Sequence, residues 1–131
     1  MLQVRSTEQS NKLGQRRTDT QVITKPWGSY KVLHEDVDVK IKLLYVKKGE
    51  AISLQYHKLR IERWLILKGS GVVEVGDHYE IVRKGSKMYI PALMVHRITA
   101  AEDLTILEVQ EGICKEEDII RLEDKYDRCN S

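Results

Sequence analysis

The chain has 131 residues, 41% of them hydrophobic and 32% charged, with a net charge of +2 and no Phe. That is the size of one domain with one core. Its charge excess lies in residues 1–20 and the remainder is balanced at 18 basic and 18 acidic side chains, which argues against a nucleic-acid-binding surface. No apolar run approaches the roughly 20 residues of a spanning helix. No apolar leader opens the chain, so a cytoplasmic location without membrane contact is expected.

Residues 1–20, MLQVRSTEQSNKLGQRRTDT, are polar and lack periodicity, and are expected to form a flexible tail. Residues 21–131 are expected to form the folded domain. Pro26-Trp27-Gly28 signals a turn around a large aromatic side chain. From there the pattern is that of strands. VKIKLLYV (39–46) alternates, Lys48-Gly49-Glu50 is a turn, and AISLQYH (51–57) alternates again. RWLILKG (63–69) is a short apolar run. GVVEV and HYEIV flank Gly76-Asp77, a hairpin signal. KMYIP, VHRITA and LTILEVQ complete about eight strands at the spacing of a sandwich or barrel. The final stretch, KEEDIIRLEDKYDR, admits two readings. Ile119, Leu122 and Tyr126 fit a short helix, or the segment is extended and covers a sheet edge. Cys114 and Cys129 have no metal-binding spacing and read as free thiols of a reducing compartment.

One stretch carries chemistry. In LQYHKLRIERW (54–64), period two puts Gln55 and His57 on one strand face. A turn over Lys58 to Ile61 would return Glu62 beside them. His96 opens a later strand. Imidazole, carboxylate and amide oxygen together suit a divalent ion. His34 and His78 lie beside acidic turn residues and read as exposed, and Trp27 and Trp64 as core or pocket wall.

Gly49-x5-Gln55-x-His57-x4-Glu62-x6-Gly69 resembles the first cupin motif, with Gln in place of its first His. Gly85-x5-Pro91-Ala92-x3-His96 resembles the second. KPWGSYKVL (25–33), SLQYHKLRIERW (53–64), YIPALMVHRI (89–98) and LEVQEGICKEEDIIRLEDKYDR (107–128) are together similar to the type II phosphomannose isomerase cupin. That domain is usually the C-terminal part of a bifunctional enzyme whose other part is mannose-1-phosphate guanylyltransferase. The resemblance implies an all-β fold, a single cupin domain built as a double-stranded β-helix or jelly-roll barrel, and interconversion of mannose 6-phosphate and fructose 6-phosphate through a cis-enediol.

It also implies one divalent metal ion, with Zn first and Mn, Co, Ni or Fe as alternatives, held by Gln55, His57, Glu62 and His96. Arg97 matches an active-site arginine of the family. Glu108 and Glu62 are candidates for the general base, and Lys58 and Arg60 for phosphate contacts or a solvated rim. The chain departs from the family at His57-Lys58-Leu59, where a run of histidines is usual, at Arg63, and at Leu93, where a glycine is usual. These departures touch the pocket rim, so substrate identity is more open than metal binding. The rival readings are a non-catalytic sugar-phosphate-binding or accessory cupin, and an iron-dependent cupin oxygenase. A homodimer and a separate guanylyltransferase are the expected partners. No glycine-rich pyrophosphorylase loop is present, so guanylyltransferase activity is not expected of this chain.

Overall fold

The computed structural model describes residues 21–129; the expected tail, residues 1–20, lies outside them. Among the described residues eleven strands are formed: β1 (Val22–Lys25), β2 (Gly28–Glu35), β3 (Val39–Val46), β4 (Leu54–Tyr56), β5 (Arg60–Lys68), β6 (Ser70–Val75), β7 (His78–Arg83), β8 (Lys87–Ile90), β9 (His96–Ala100), β10 (Leu104–Gly112) and β11 (Ile120–Glu123). They make two antiparallel sheets, ordered β1-β2-β3-β10-β5-β8 and β11-β4-β9-β6-β7. No helix among the described residues is long and apolar enough to cross a membrane.

Two sequence expectations change and one open reading closes. The Pro26-Trp27-Gly28 turn joins two strands, β1 and β2, that the pattern did not single out. β5 begins at Arg60, so the turn after His57 is only Lys58-Leu59. The C-terminal stretch takes the extended, edge-covering reading rather than the helical one. Ile120 to Glu123 pairs antiparallel with β4, which would otherwise be a sheet edge with open hydrogen-bonding groups. Tyr126 then anchors the segment, donating its hydroxyl to Glu50 at 2.5 Å. Both described cysteines are free.

The interior is layered by strand register. Glycine-free alternation sends Lys40, Lys42, Leu44 and Val46 of β3 inward, and the apolar set Ile41, Leu43 and Tyr45 to the other face. β10 lies between β3 and β5. Its Ile106 pairs with Leu44 and Ile66, its Glu108 with Lys42 and Trp64, and its Gln110 with Lys40 and Glu62. Reading along the barrel, the inward residues therefore pass from aliphatic to charged. At the aliphatic end Ile66, Ile98, Leu104, Ile106, Val73 and Val82 are almost wholly buried, each stabilising the fold by about 1.5–3 kcal/mol. Trp64 sits at the boundary between the halves. The polar half is the one that holds the candidate site.

Candidate metal and substrate site

Each sheet contributes part of the site. β4 carries Gln55, and His57 follows one residue beyond its end. His96 opens β9 directly opposite Gln55 in the β4–β9 register. Glu62 comes from β5 of the other sheet. One ligand atom from each of His57, Glu62 and His96 lies within 4.8 Å of the others, and all three residues are buried. His57 Nε2 is 3.2 Å from a Glu62 oxygen and His96 Nε2 is 3.7 Å from the other. The imidazole rings stand 5.2 Å apart.

The backbone fixes both tautomers. His57 Nδ1 meets the carbonyl of Asp118 at 2.6 Å, and His96 Nδ1 meets the carbonyl of Met94 at 2.9 Å. A carbonyl only accepts, so each Nδ1 carries the proton and each Nε2 turns a lone pair into the site. Burial lowers both imidazole pKa values. For His57 the neighbouring Arg60 charge adds to burial, and the value falls to about 4. Both rings are therefore neutral at pH 7, the form that binds metal. His96 Nε2 is buried without any hydrogen-bond partner. A buried acceptor left unpaired costs about 1–3 kcal/mol, and a divalent ion facing Glu62 and His57 would satisfy it. The donor set fits a metal on this observation.

Gln55 accepts from Ser53 Oγ at 2.6 Å through Oε1 and approaches His57 Nε2 at 3.4 Å through its amide nitrogen. Turning the amide by half a rotation presents its oxygen to the cluster, with Ser53 still able to pair. Glu62 is already well served. Its Oε2 accepts from Arg60 Nε at 2.9 Å and lies 2.8 Å from Nη2, and its Oε1 accepts from Trp64 Nε1 at 3.1 Å. Arg60 Nη2 also comes within 3.3 Å of His57 Nε2. A metal bound here shares Glu62 with the guanidinium.

Glu108 lies one strand away. Trp64 Nε1 donates to it at 3.1 Å and Gln110 Nε2 at 2.8 Å. Burial, with the charge of Glu62 adding, raises its pKa to about 7. The surrounding cavity opens to solvent and is lined by Trp27, Tyr30, Lys42, Gln55, His57, Arg60, Glu108, Glu116 and Arg121, among others. It holds about 130 Å³ of space for water. Arg121 Nε and Gln110 Oε1 are buried there without partners.

The structure thus brings Gln55, His57, Glu62, His96, Glu108 and Arg60 together, and Arg60 is buried rather than on a solvated rim. Lys58 is exposed and outside the cavity wall. Arg97 is also elsewhere. Strand alternation sends it to the face opposite His96, where its guanidinium bonds Glu74 at 2.8 Å and Glu123 at 3.3 Å. Residues that the sequence reading left out are Lys40 and Lys42, Glu116, Asp118 and Arg121. The lysines had a signal, since they share the inward face of VKIKLLYV with Leu44 and Val46. The others had none, because they arrive from the C-terminal stretch about 60 residues away in sequence.

The family described as mannose-6-phosphate isomerase C-terminal matches residues 12–124. The chain belongs to this family. Alginate biosynthesis protein AlgA of Pseudomonas syringae pv. tomato is 36% identical over 123 residues, covering 89% of this chain and 26% of that protein. Mannose-1-phosphate guanylyltransferase 2 of Escherichia coli O157:H7 is 32% identical, covering 79% and 22%. This member of the mannose-6-phosphate isomerase C-terminal family thus spans about a quarter of the length of the curated relatives it matches. Among solved structures, oxalate decarboxylase from Bacillus subtilis aligns with a TM-score of 0.72 at 22% identity, over 79% of this chain and 30% of that one. An RmlC-like cupin from Shewanella frigidimarina aligns at 0.69 and 13% identity, over 75% and 87%. These likenesses establish the cupin fold expected from the sequence.

Proposed function

We propose that the chain is a metal-dependent aldose–ketose isomerase that interconverts mannose 6-phosphate and fructose 6-phosphate. The observation that carries the reading is the unpaired His96 Nε2, turned with His57 Nε2 toward Glu62 next to a cationic cavity that His57 lines. His57, Glu62 and His96, with Gln55 after its amide turns, would hold the ion. Zn²⁺ suits two imidazoles and a carboxylate, and Mn²⁺, Co²⁺, Ni²⁺ and Fe²⁺ also accept them. When bound, a divalent ion supplies Lewis-acid stabilisation of the negative charge that develops on substrate oxygens.

The protein's own residues supply the rest. Proton transfer between adjacent carbons needs a base beside the substrate, an effect worth roughly 10²–10⁴ in rate. Glu108 is the better placed of the two candidate carboxylates. Glu62 has Arg60 on one oxygen and belongs to the donor set, while Glu108 is buried and lies outside that set. Trp64 and Gln110 orient Glu108, and Lys42 faces it from the neighbouring strand. Arg60 and Arg121 bring fixed positive charge to the cavity and favour an anionic substrate.

A second reading is favoured by one contact. Because Arg60 already pairs with one Glu62 oxygen and approaches His57, a cation competes for part of the donor set, as suits a non-catalytic sugar-phosphate-binding cupin. On either reading the relatives named mannose-1-phosphate guanylyltransferase point to a guanylyltransferase as partner, on the same polypeptide or another. A cytoplasmic homodimer remains the expected setting, and sedimentation at micromolar concentration tests the dimer. Metal analysis of the purified protein and of His96→Ala, with a coupled assay on mannose 6-phosphate, separates the two readings. Bound metal that is lost in the variant, together with turnover, supports the isomerase. No bound metal, or bound metal without turnover, leaves only the binding protein.

A further inference from the structure

Two lysines are buried inside the polar half of the barrel. The side chains of Lys40 and Lys42 are 9% and 6% exposed, and both converge on one oxygen of Glu116, at 2.9 and 2.7 Å. Lys42 also stands 4.1 Å from the centre of the Tyr30 ring. Glu116 is a different kind of residue. Its side chain is 48% exposed and hangs from the stretch between β10 and β11, outside any strand. The cations are built into the barrel wall, whereas their anion reaches in from the surface.

Two buried ammonium groups without a counter-ion would be strongly destabilising. Lys40 keeps a longer contact to the exposed Glu35 at 3.7 Å, whereas Lys42 has Glu116 as its ion-pair partner, so Glu116 leaves Lys42 only if another anion takes its place. A phosphate monoester carries up to two charges and several strong acceptor oxygens, more than one carboxylate offers. Position supports the exchange. Lys42 and Trp64 flank Glu108 across β10, and Lys40 and Glu62 flank Gln110 in the next layer. Lys40 is thus two strand spacings, about 10 Å along the sheet, from Glu62 of the candidate cluster. A hexose chain with its phosphate at the far end spans a comparable length.

The geometry points to Lys40 and Lys42 as a phosphate-monoester subsite, filled in the free protein by the carboxylate of Glu116, which swings out when the ester binds. This assignment rests on the sugar-phosphate reading for the identity of the ester, but not on the metal.

The test is a binding titration of the whole chain with chelator present, using mannose 6-phosphate, inorganic phosphate and mannose as separate probes. Glu116→Gln removes the competing charge, and mannose 6-phosphate is expected to bind it at least about tenfold tighter than wild type. Mannose should be unaffected, and Lys42→Met should lose the ester. If Glu116→Gln is poorly folded alone, the ester must raise its melting temperature by more than it raises that of wild type. A folded Glu116→Gln that binds ester and phosphate no tighter, or a Lys42→Met that keeps wild-type affinity, overturns the subsite. Tighter binding of inorganic phosphate without tighter binding of mannose 6-phosphate upholds the subsite and removes the proposed substrate.

Discussion

Leu93 sits at φ +70° in the turn between β8 and β9, where the resembling family usually has glycine. For an L-residue this left-handed conformation costs about 1–2 kcal/mol. The turn is held in place because the Leu93 N–H donates to the carbonyl of His57 at 2.7 Å, tying it to the segment that carries this candidate ligand. Replacing Leu93 by glycine alone would mix three effects, since some apolar surface is lost although the side chain is 64% exposed. The pair Leu93→Ala and Leu93→Gly isolates the backbone. Both lose the isobutyl group, but alanine keeps the strain and glycine relieves it. Glycine gives back about 0.5–1 kcal/mol through the freedom of the unfolded chain. The net expectation is that Leu93→Gly is more stable than Leu93→Ala by about 0.5–1 kcal/mol. Chemical denaturation of the two variants, in chelator so that metal does not contribute, gives the difference directly. An alanine variant equal to or more stable than the glycine variant would refute the reasoning.

Burial pushes the Glu116 carboxyl up, but the charge and hydrogen bonds of Lys42 and Lys40 overcome this and hold it at about 2. A depressed carboxyl stabilises the fold above its unfolded pKa of about 4.3 and loses that contribution as pH falls toward 2. The stability gap between wild type and Glu116→Gln should accordingly be constant above pH 5.5 or so, and narrow from about pH 4.5 downward; a gap that stays level to about pH 3 contradicts the pairing. Asp118 accepts the N–H groups of Lys58 and Leu59 at 3.0 and 2.9 Å while its carbonyl sets the His57 tautomer. Asp118→Asn puts an amide donor against an N–H, and chelator competition should show metal affinity reduced roughly 10–100-fold, the usual cost of disturbing a ligand's support. Trp64→Phe removes the single N–H shared by Glu62 and Glu108, and thermal or denaturant unfolding should show a loss of about 1–3 kcal/mol.

The strands were legible wherever one face was apolar and turns were marked, as at Gly76-Asp77 between β6 and β7. Period two also placed Gln55 and His57 on one face, where their side chains approach at 3.4 Å. The inward face of β3 was harder to read. Ile41, Leu43 and Tyr45 look like core, yet it is Lys40 and Lys42 that enter the barrel, and only pairing with Gln110 and Glu108 makes this sensible. Adjacency in sequence misled for Arg97. One residue after His96 means the opposite face of the sheet, among the carboxylates of Glu74 and Glu123. The contribution of the C-terminal stretch was hidden for another reason. Its Ile119–Leu122–Tyr126 spacing fits a helix, but the open edge of β4 offers hydrogen bonds that an isolated short helix cannot match.

The most direct test is to incubate the metal-loaded protein with mannose 6-phosphate in deuterium oxide and follow the sugar by NMR. Fructose 6-phosphate is expected to form with deuterium entering beside the carbonyl, and both signals should vanish with chelator or in His96→Ala. A metal-loaded protein that leaves mannose 6-phosphate unconverted and unlabelled would contradict it.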